Sequence, residues 1–365
     1  MNATRQLHHL GQSLWLDNIT RELLTSGTLR RYINELSVTG LTSNPTIFEH
    51  ALNDSDCYDS EIERWTRAGK AGEALFFELA LEDLCQAADL LLPIHAATDG
   101  VDGWVSLEVS PMLAFDPSAM FQAAIDLNRR AARPNLLIKI PGTRAGIKAI
   151  EETIFAGVPV NVTLLFSPEH YLAAANAYLS GIERRISADL DPNVVSVASI
   201  FISRWDVAVI DKVPQEMRNH LGIAIAMQAY KAYRDMLISP RWQRLENAGA
   251  RPQRLLWAST GTKDPQAAET LYIEALAAPD TINTMPEKSL LAFANYGEVT
   301  TCLPSDGGDV DARLEAFARI GIDIAELAET LQQEGTMAFA KSWSTLLARL
   351  ALQRDTFQKT SRSLV

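Results

Sequence analysis

The sequence predicts an α/β chain closed into a (β/α)8 barrel, carrying additional C-terminal helices. Three observations point there. Eight apolar, β-rich runs recur along the chain with helical patterns between them. Several runs are apolar at consecutive positions, as in Leu136-Leu137-Ile138 and Ile200-Phe201-Ile202, which parallel strands covered on both faces require. An open doubly wound sheet shares much of this pattern, and the count of eight favours closure. Finally, 365 residues at 47% hydrophobic composition can bury a large core. We therefore read residues 1–365 as one domain, with the barrel at about 13–297 and C-terminal helices at about 309–360.

In chain order the expected strands are 14–19, 38–44, 104–110, 136–141, 158–166, 197–203, 255–260 and 281–286. The expected helices are 21–36, 72–95, 117–133, 145–155, 169–186, 217–247 and 265–277. Asp116-Pro117 and Asp264-Pro265 each set a capping carboxylate before a proline suited to a first helical turn. After the eighth strand a loop with Gly307 and Gly308 leads into helical sequence over 310–358, read as packed on the barrel.

In such a barrel function sits at the C-terminal ends of the strands, and polar residues interrupt the apolar runs there. Lys139 lies inside Leu137-Ile138-Lys139-Ile140. An unpaired buried ammonium costs several kcal/mol, at roughly the scale of other unpaired buried charges. Burial favours the uncharged amine, a nucleophile toward carbonyl carbon. The bland alternative is a lysine reaching solvent or a carboxylate. Glu108 interrupts the third run, Asp17 the first, and Asn44 ends the second; in the fifth, Asn161 and Thr163 share one face by strand alternation. Taken singly, Asp17 and Asn44 could cap helices and Glu108 could neutralise Lys139. Five interruptions on five consecutive strands are harder to explain that way.

The segments Leu41-Thr42-Ser43-Asn44-Pro45-Thr46, Leu137-Ile138-Lys139-Ile140-Pro141, Asn161-Val162-Thr163-Leu164-Leu165-Phe166-Ser167 and Trp257-Ala258-Ser259-Thr260-Gly261-Thr262-Lys263 resemble transaldolases, from about Trp15 to Gly297. The likeness is to the branch that also occurs fused to a glucose-6-phosphate isomerase, and a chain of this length is expected to lack that partner. The resemblance implies a class I aldolase barrel, circularly permuted so that the Schiff-base lysine lies on the fourth strand. It implies that Lys139 forms the Schiff base and that Asp17 takes the C4 hydroxyl proton. Glu108 and Thr163 would hold a catalytic water, and Asn44 and Asn161 would bind the dihydroxyacetone portion. Ser203 and Ser259 match phosphate ligands. The family's arginines near them are displaced or absent, so Arg204 and Lys263 are taken as the substitute cations, with Lys263 leading into a helix at Pro265. An aromatic residue at Trp205 is expected to line the pocket.

The net charge of −12 argues against a nucleic-acid partner, because polyanions attract a basic face. Sugar phosphates are the expected partners, held by local groups. No membrane segment is expected, since no apolar run is long enough and the N-terminus lacks a signal core; His8 and His9 read as tail residues. Three cysteines, Cys57, Cys85 and Cys302, scattered without paired spacing and read as buried or inert, suit a reducing cytoplasm. Neither metal-ligand spacing among the histidines nor a nucleotide fingerprint occurs, so no metal or cofactor is expected. Oligomeric state is left open. Two alternatives compete: an aldolase of the same superfamily that releases dihydroxyacetone, in which an amide replaces Glu108, and a non-catalytic sugar-phosphate-binding barrel, which would lack the lysine or its carboxylates.

Overall fold

A computed structural model describes residues 2–53 and 56–363. Its eight parallel strands are β1 (Ser13–Asp17), β2 (Val38–Thr42), β3 (Trp104–Glu108), β4 (Leu136–Pro141), β5 (Val160–Leu165), β6 (Ser196–Phe201), β7 (Arg254–Ala258) and β8 (Ile282–Met285). They pair in sequence order, and β8 returns to β1, closing the barrel. Every expected strand is present, shortened by a residue or more at most ends.

The helices before β5 are α1 (Ala3–His9), α2 (Arg21–Thr25), α3 (Thr28–Leu36), α4 (Pro45–Asn53), α5 (Asp59–Arg67), α6 (Gly72–Ala97), α7 (Pro117–Ala131) and α8 (Arg144–Phe155). The remainder are α9 (Pro168–Ser187), α10 (Ser203–Val209), α11 (Leu221–Leu237), α12 (Pro240–Asn247), α13 (Leu271–Ala275), α14 (Glu287–Tyr296), α15 (Val310–Arg319) and α16 (Ile324–Ser363). Local chemistry accounts for where the expected helices break. The 21–36 pattern divides at Gly27, whose φ of +82° a side chain would resist. The 217–247 pattern divides at Ser239-Pro240, where Ser239 caps α12 and the proline opens it.

The helix expected over 265–277 is largely absent. Asp264 accepts the Gln266 N–H and the Asn219 side chain, which makes a turn, and helix resumes only at Leu271. His8 and His9 are also not tail residues but the last turn of α1. Cys85 is half-buried while Cys57 and Cys302 are exposed, so burial holds for none of the three thiols in full; none is in a disulfide.

The strand register matters most for function, because Cα partners in adjacent parallel strands put their side chains side by side. Glu108 pairs with Lys139, Lys139 with Asn161, and Asp17 with Thr42. One end of the barrel therefore gathers these polar groups from four neighbouring strands and β1. The long helix α16 packs against α4, α5, α6 and β5 at that end. Gln332 Nε2 donates to the carbonyls of Gly142 and Leu164, Thr46 donates to Ser342, and Trp343 donates to Glu73. Leu164 takes a left-handed φ of +59° where the register with β6 shifts, a bulge that leaves its carbonyl to Gln332.

Candidate active site

A cleft of about 240 Å³ opens among the C-terminal ends of the strands, lined by Lys139 and Asp17 together with Phe339 of α16. Lys139 is 5% exposed; its Nζ donates to the Ser43 carbonyl at 3.0 Å and lies 3.7 Å from Glu108 Oε2. That separation is an ion pair beyond normal hydrogen-bond length, so Oε2 keeps no hydrogen-bond partner among the described residues. Burial pushes the Glu108 carboxyl up to about 7, against the pull of Lys139 and with a push from Asp17. Burial likewise raises Asp17, while Lys139, the Thr42 hydroxyl and Lys263 pull it down. Two buried carboxyls near one amine cannot both ionise cheaply, and burial that raises the proton affinity of each, Glu108 to about 7, suits acid/base exchange near neutral pH.

Six of the ten residues expected from sequence line the cleft: Asp17, Asn44, Lys139, Arg204, Ser259 and Lys263. Glu108, Thr163, Asn161 and Ser203 form a buried layer behind it. Thr163 Oγ1 is buried with no partner among the described residues, like Glu108 Oε2. Asn161 is already engaged, donating to Ser106 Oγ at 3.1 Å and accepting from Ser199 Oγ at 2.7 Å. Asn44 accepts the Ile47 N–H and so caps α4 as well as facing the cleft. The capping alternative weighed for Asp17 fails, because Thr20 caps α2 and Asp17 accepts from Thr42.

The residues expected from sequence to receive a phosphate split in character. Arg204 is half-buried with its guanidinium 5.5 Å from the Phe201 ring centre and no ion pair among the described residues. Burial lowers its pKa, with Glu334 opposing. Lys263 is exposed. Ser203 and Ser259 share a hydrogen bond at 2.9 Å, and Ser259 holds φ at +57°. With no helix starting at Pro265, no helix N-terminus stands behind Lys263. Trp205 does not line the cleft: it is fully buried and donates to the Phe166 carbonyl, and the cleft's aromatic walls are Phe201 and Phe339.

The family described as Transaldolase/Fructose-6-phosphate aldolase matches residues 14–350. Curated relatives named transaldolase include that of Thermobifida fusca, 43% identical over 358 residues, covering 96% of this chain and 97% of the relative. Those of Mycolicibacterium smegmatis and Thiobacillus denitrificans are each 41% identical over 358 residues, covering 96% of this chain and 96% and 100% of theirs. The chain belongs to the transaldolase family. It is an enzyme of that family, built on the eight-stranded barrel described above.

Four further residues that line this cleft were missed from sequence: Thr42, Ser199, Thr284 and Phe339. Thr42 and Ser199 are polar positions on strands already read as barrel strands, and alternation along those strands from Asn44 and Ser203 could have flagged them. Thr284, the last residue but one of β8, is a polar position of the same kind. Phe339 carries no local signal, since it is one apolar residue in a 40-residue helix.

Proposed function

We propose that the enzyme transfers a dihydroxyacetone unit from sedoheptulose 7-phosphate to glyceraldehyde 3-phosphate, giving erythrose 4-phosphate and fructose 6-phosphate, in the pentose phosphate pathway of the cytoplasm. The observation that carries this is the Lys139 amine, almost fully buried beside Glu108 and opening on the same cleft as Asp17. Lys139 attacks the donor's C2 ketone; loss of water from the carbinolamine gives an iminium. Glu108 and Thr163 hold a water through which protons move in that step, for which two buried oxygens without a hydrogen-bond partner among the described residues are suited. Asp17 takes the C4 hydroxyl proton, the C3–C4 bond breaks, and its electron pair flows into the iminium to leave an enamine. The aldose departs, the enamine adds to the acceptor aldehyde as Asp17 returns its proton to the new alkoxide, and water hydrolyses the resulting iminium to release the product and restore the Lys139 amine. Asn44 and Asn161 hold the three-carbon unit, and Ser203, Arg204, Ser259 and Lys263 receive the phosphate.

With fructose 6-phosphate alone we expect little free dihydroxyacetone, and with added erythrose 4-phosphate turnover to sedoheptulose 7-phosphate. Product analysis by chromatography checks this. Steady release of dihydroxyacetone without acceptor would assign the chain to lyase chemistry instead.

The two cations should differ. Arg204 is held by packing and needs little ordering, and hydrogen bonds to charged groups contribute about 1.5–3 kcal/mol. Arg204→Ala should therefore raise KM for phosphorylated substrates roughly tenfold to hundredfold where KM tracks binding. Exposed Lys263 is screened, so Lys263→Ala should raise KM no more than about fivefold and less at high salt. Kinetics on fructose 6-phosphate and fructose check both; equal losses on the two sugars would mean that the cations shape the cleft without reading the phosphate.

A further inference from the structure

Asp17 has a hydroxyl neighbour on the flanking strand β2, and that hydroxyl has a second one on β8, the strand flanking β1 on its other side. Thr42 Oγ1 on β2 lies 2.8 Å from Asp17 Oδ1, and it lies 2.6 Å from Thr284 Oγ1 on β8. Both threonines are at most 2% exposed, so neither hydroxyl turns to bulk water. A hydroxyl has one proton to give, and an ionised carboxylate only accepts. When Asp17 is ionised the Thr42 proton must point at it, so in the second contact Thr42 accepts and Thr284 donates. The order of donors is then fixed as Thr284 to Thr42 to Asp17. Thr260 donates to the Thr284 backbone carbonyl at 3.0 Å and ties down the far end.

We infer that Thr284 and Thr42 are positioning residues for the base: an ordered chain of hydroxyl donors that orients the Asp17 carboxylate and holds it ready to take a proton. The other groups acting on Asp17 are Lys139 from β4, Lys263 after β7 and Glu108 from β3. His50 and Arg204 line the same cleft, and Glu287 of α14 binds the adjacent Asn18. Lys139 cannot serve as a constant counter-charge, because the proposed cycle takes it through a neutral amine, a cationic iminium and a neutral enamine. The hydroxyl chain carries no net charge and persists through each of these states. It also occupies Oδ1, leaving Oδ2 without a hydrogen bond among the described residues and available to the substrate.

This inference rests on Asp17 being the base of the proposed reaction. The test is the single-turnover rate of carbon–carbon cleavage against pH, with borohydride trapping of the six-carbon Schiff base as a separate readout. Losing the donor removes stabilisation from the ionised form, so the acid limb of cleavage in Thr284→Val should move up by about 0.5–1 pH unit, with a roughly threefold to tenfold slower rate below it. Trapping rate and KM should stay within about twofold, and Thr284→Ser, which restores the hydroxyl, should restore the limb. Thr284→Ala, which adds no bulk, gives the same reading if the valine variant folds poorly. An unmoved limb in the valine or alanine variant, or a moved limb that serine does not restore, overturns the relay. Asp17→Asn separates the two levels: cleavage at the wild-type rate would remove Asp17 as the base, whereas an inactive Asp17→Asn beside an unmoved Thr284→Val limb removes the relay alone.

Discussion

Lys139→Ala should fold and lose turnover by roughly 10⁴-fold or more, because covalent catalysis disappears with the amine. Removing one member of a buried ion pair commonly costs about 3–5 kcal/mol by stranding its partner. Here the partner can escape that cost. Glu108 already binds its proton up to about pH 7, and Lys139 is the main influence pulling that affinity down. Without Lys139 the carboxyl stays neutral at pH 7, so no buried charge is left unpaired. The remaining penalty is the space the lysine stem filled, which Lys139→Met would largely refill. Borohydride with fructose 6-phosphate should fix a three-carbon or six-carbon group on Lys139 in the wild type and none in either variant. Mass analysis of the labelled peptide decides this: modification elsewhere, or retained turnover, moves the nucleophile to another residue.

Glu108→Gln should slow Schiff-base formation by roughly 10²–10⁴-fold, the usual contribution of a positioned acid/base group. The wild-type rate of that step should change near pH 7, where Glu108 exchanges its proton, and the variant should lose this dependence. Stability follows the same titration. The folded carboxyl binds its proton more tightly than the ordinary 4.5, so its contribution is present below about pH 4.5 and is lost as pH rises to about 7. Melting temperatures between pH 4.5 and 8 should therefore fall more steeply in the wild type than in Glu108→Gln. Parallel curves would mean that Glu108 is ionised throughout, paired with Lys139, and not the proton carrier.

The barrel was legible before any coordinates because its cause is local and repeated. Ser199-Ile200-Phe201-Ile202 and Leu136-Leu137-Ile138 are too apolar for strands with a wet face, and eight such runs leave closure as the simplest way to cover both faces. Lys139, Glu108 and Asp17 were legible for the complementary reason: charge inside such a run is costly and must be explained. Local reading failed where two signals competed. Asp264-Pro265 has the look of a helix start, yet the same carboxylate closes a turn on Gln266 and binds Asn219, and α13 begins only at Leu271. Likewise a single pattern over 217–247 concealed the break that Pro240 makes by lacking an N–H.

Residue type and strand periodicity were enough to name the amine, its carboxylates and the end of the barrel where they meet. They could not say which residues stand in the cleft and which behind it, because that depends on register and on distant elements. Glu108 faces Lys139 only because β3 and β4 pair in that register. Asn161 is turned into a bonded layer by Ser106 and Ser199, each from another strand. Arg204 lies along the ring of Phe201, and Trp205 beside it turns into the core. Thr284 reaches Asp17 through Thr42, 242 residues away in sequence, because closing the barrel sets β8 against β1. Phe339 enters the cleft from the opposite end of the chain, carried there by the contacts of α16 with α4 and α6. Contacts of such sequence separation are made by the closed barrel and the docked helix, and no local propensity encodes them.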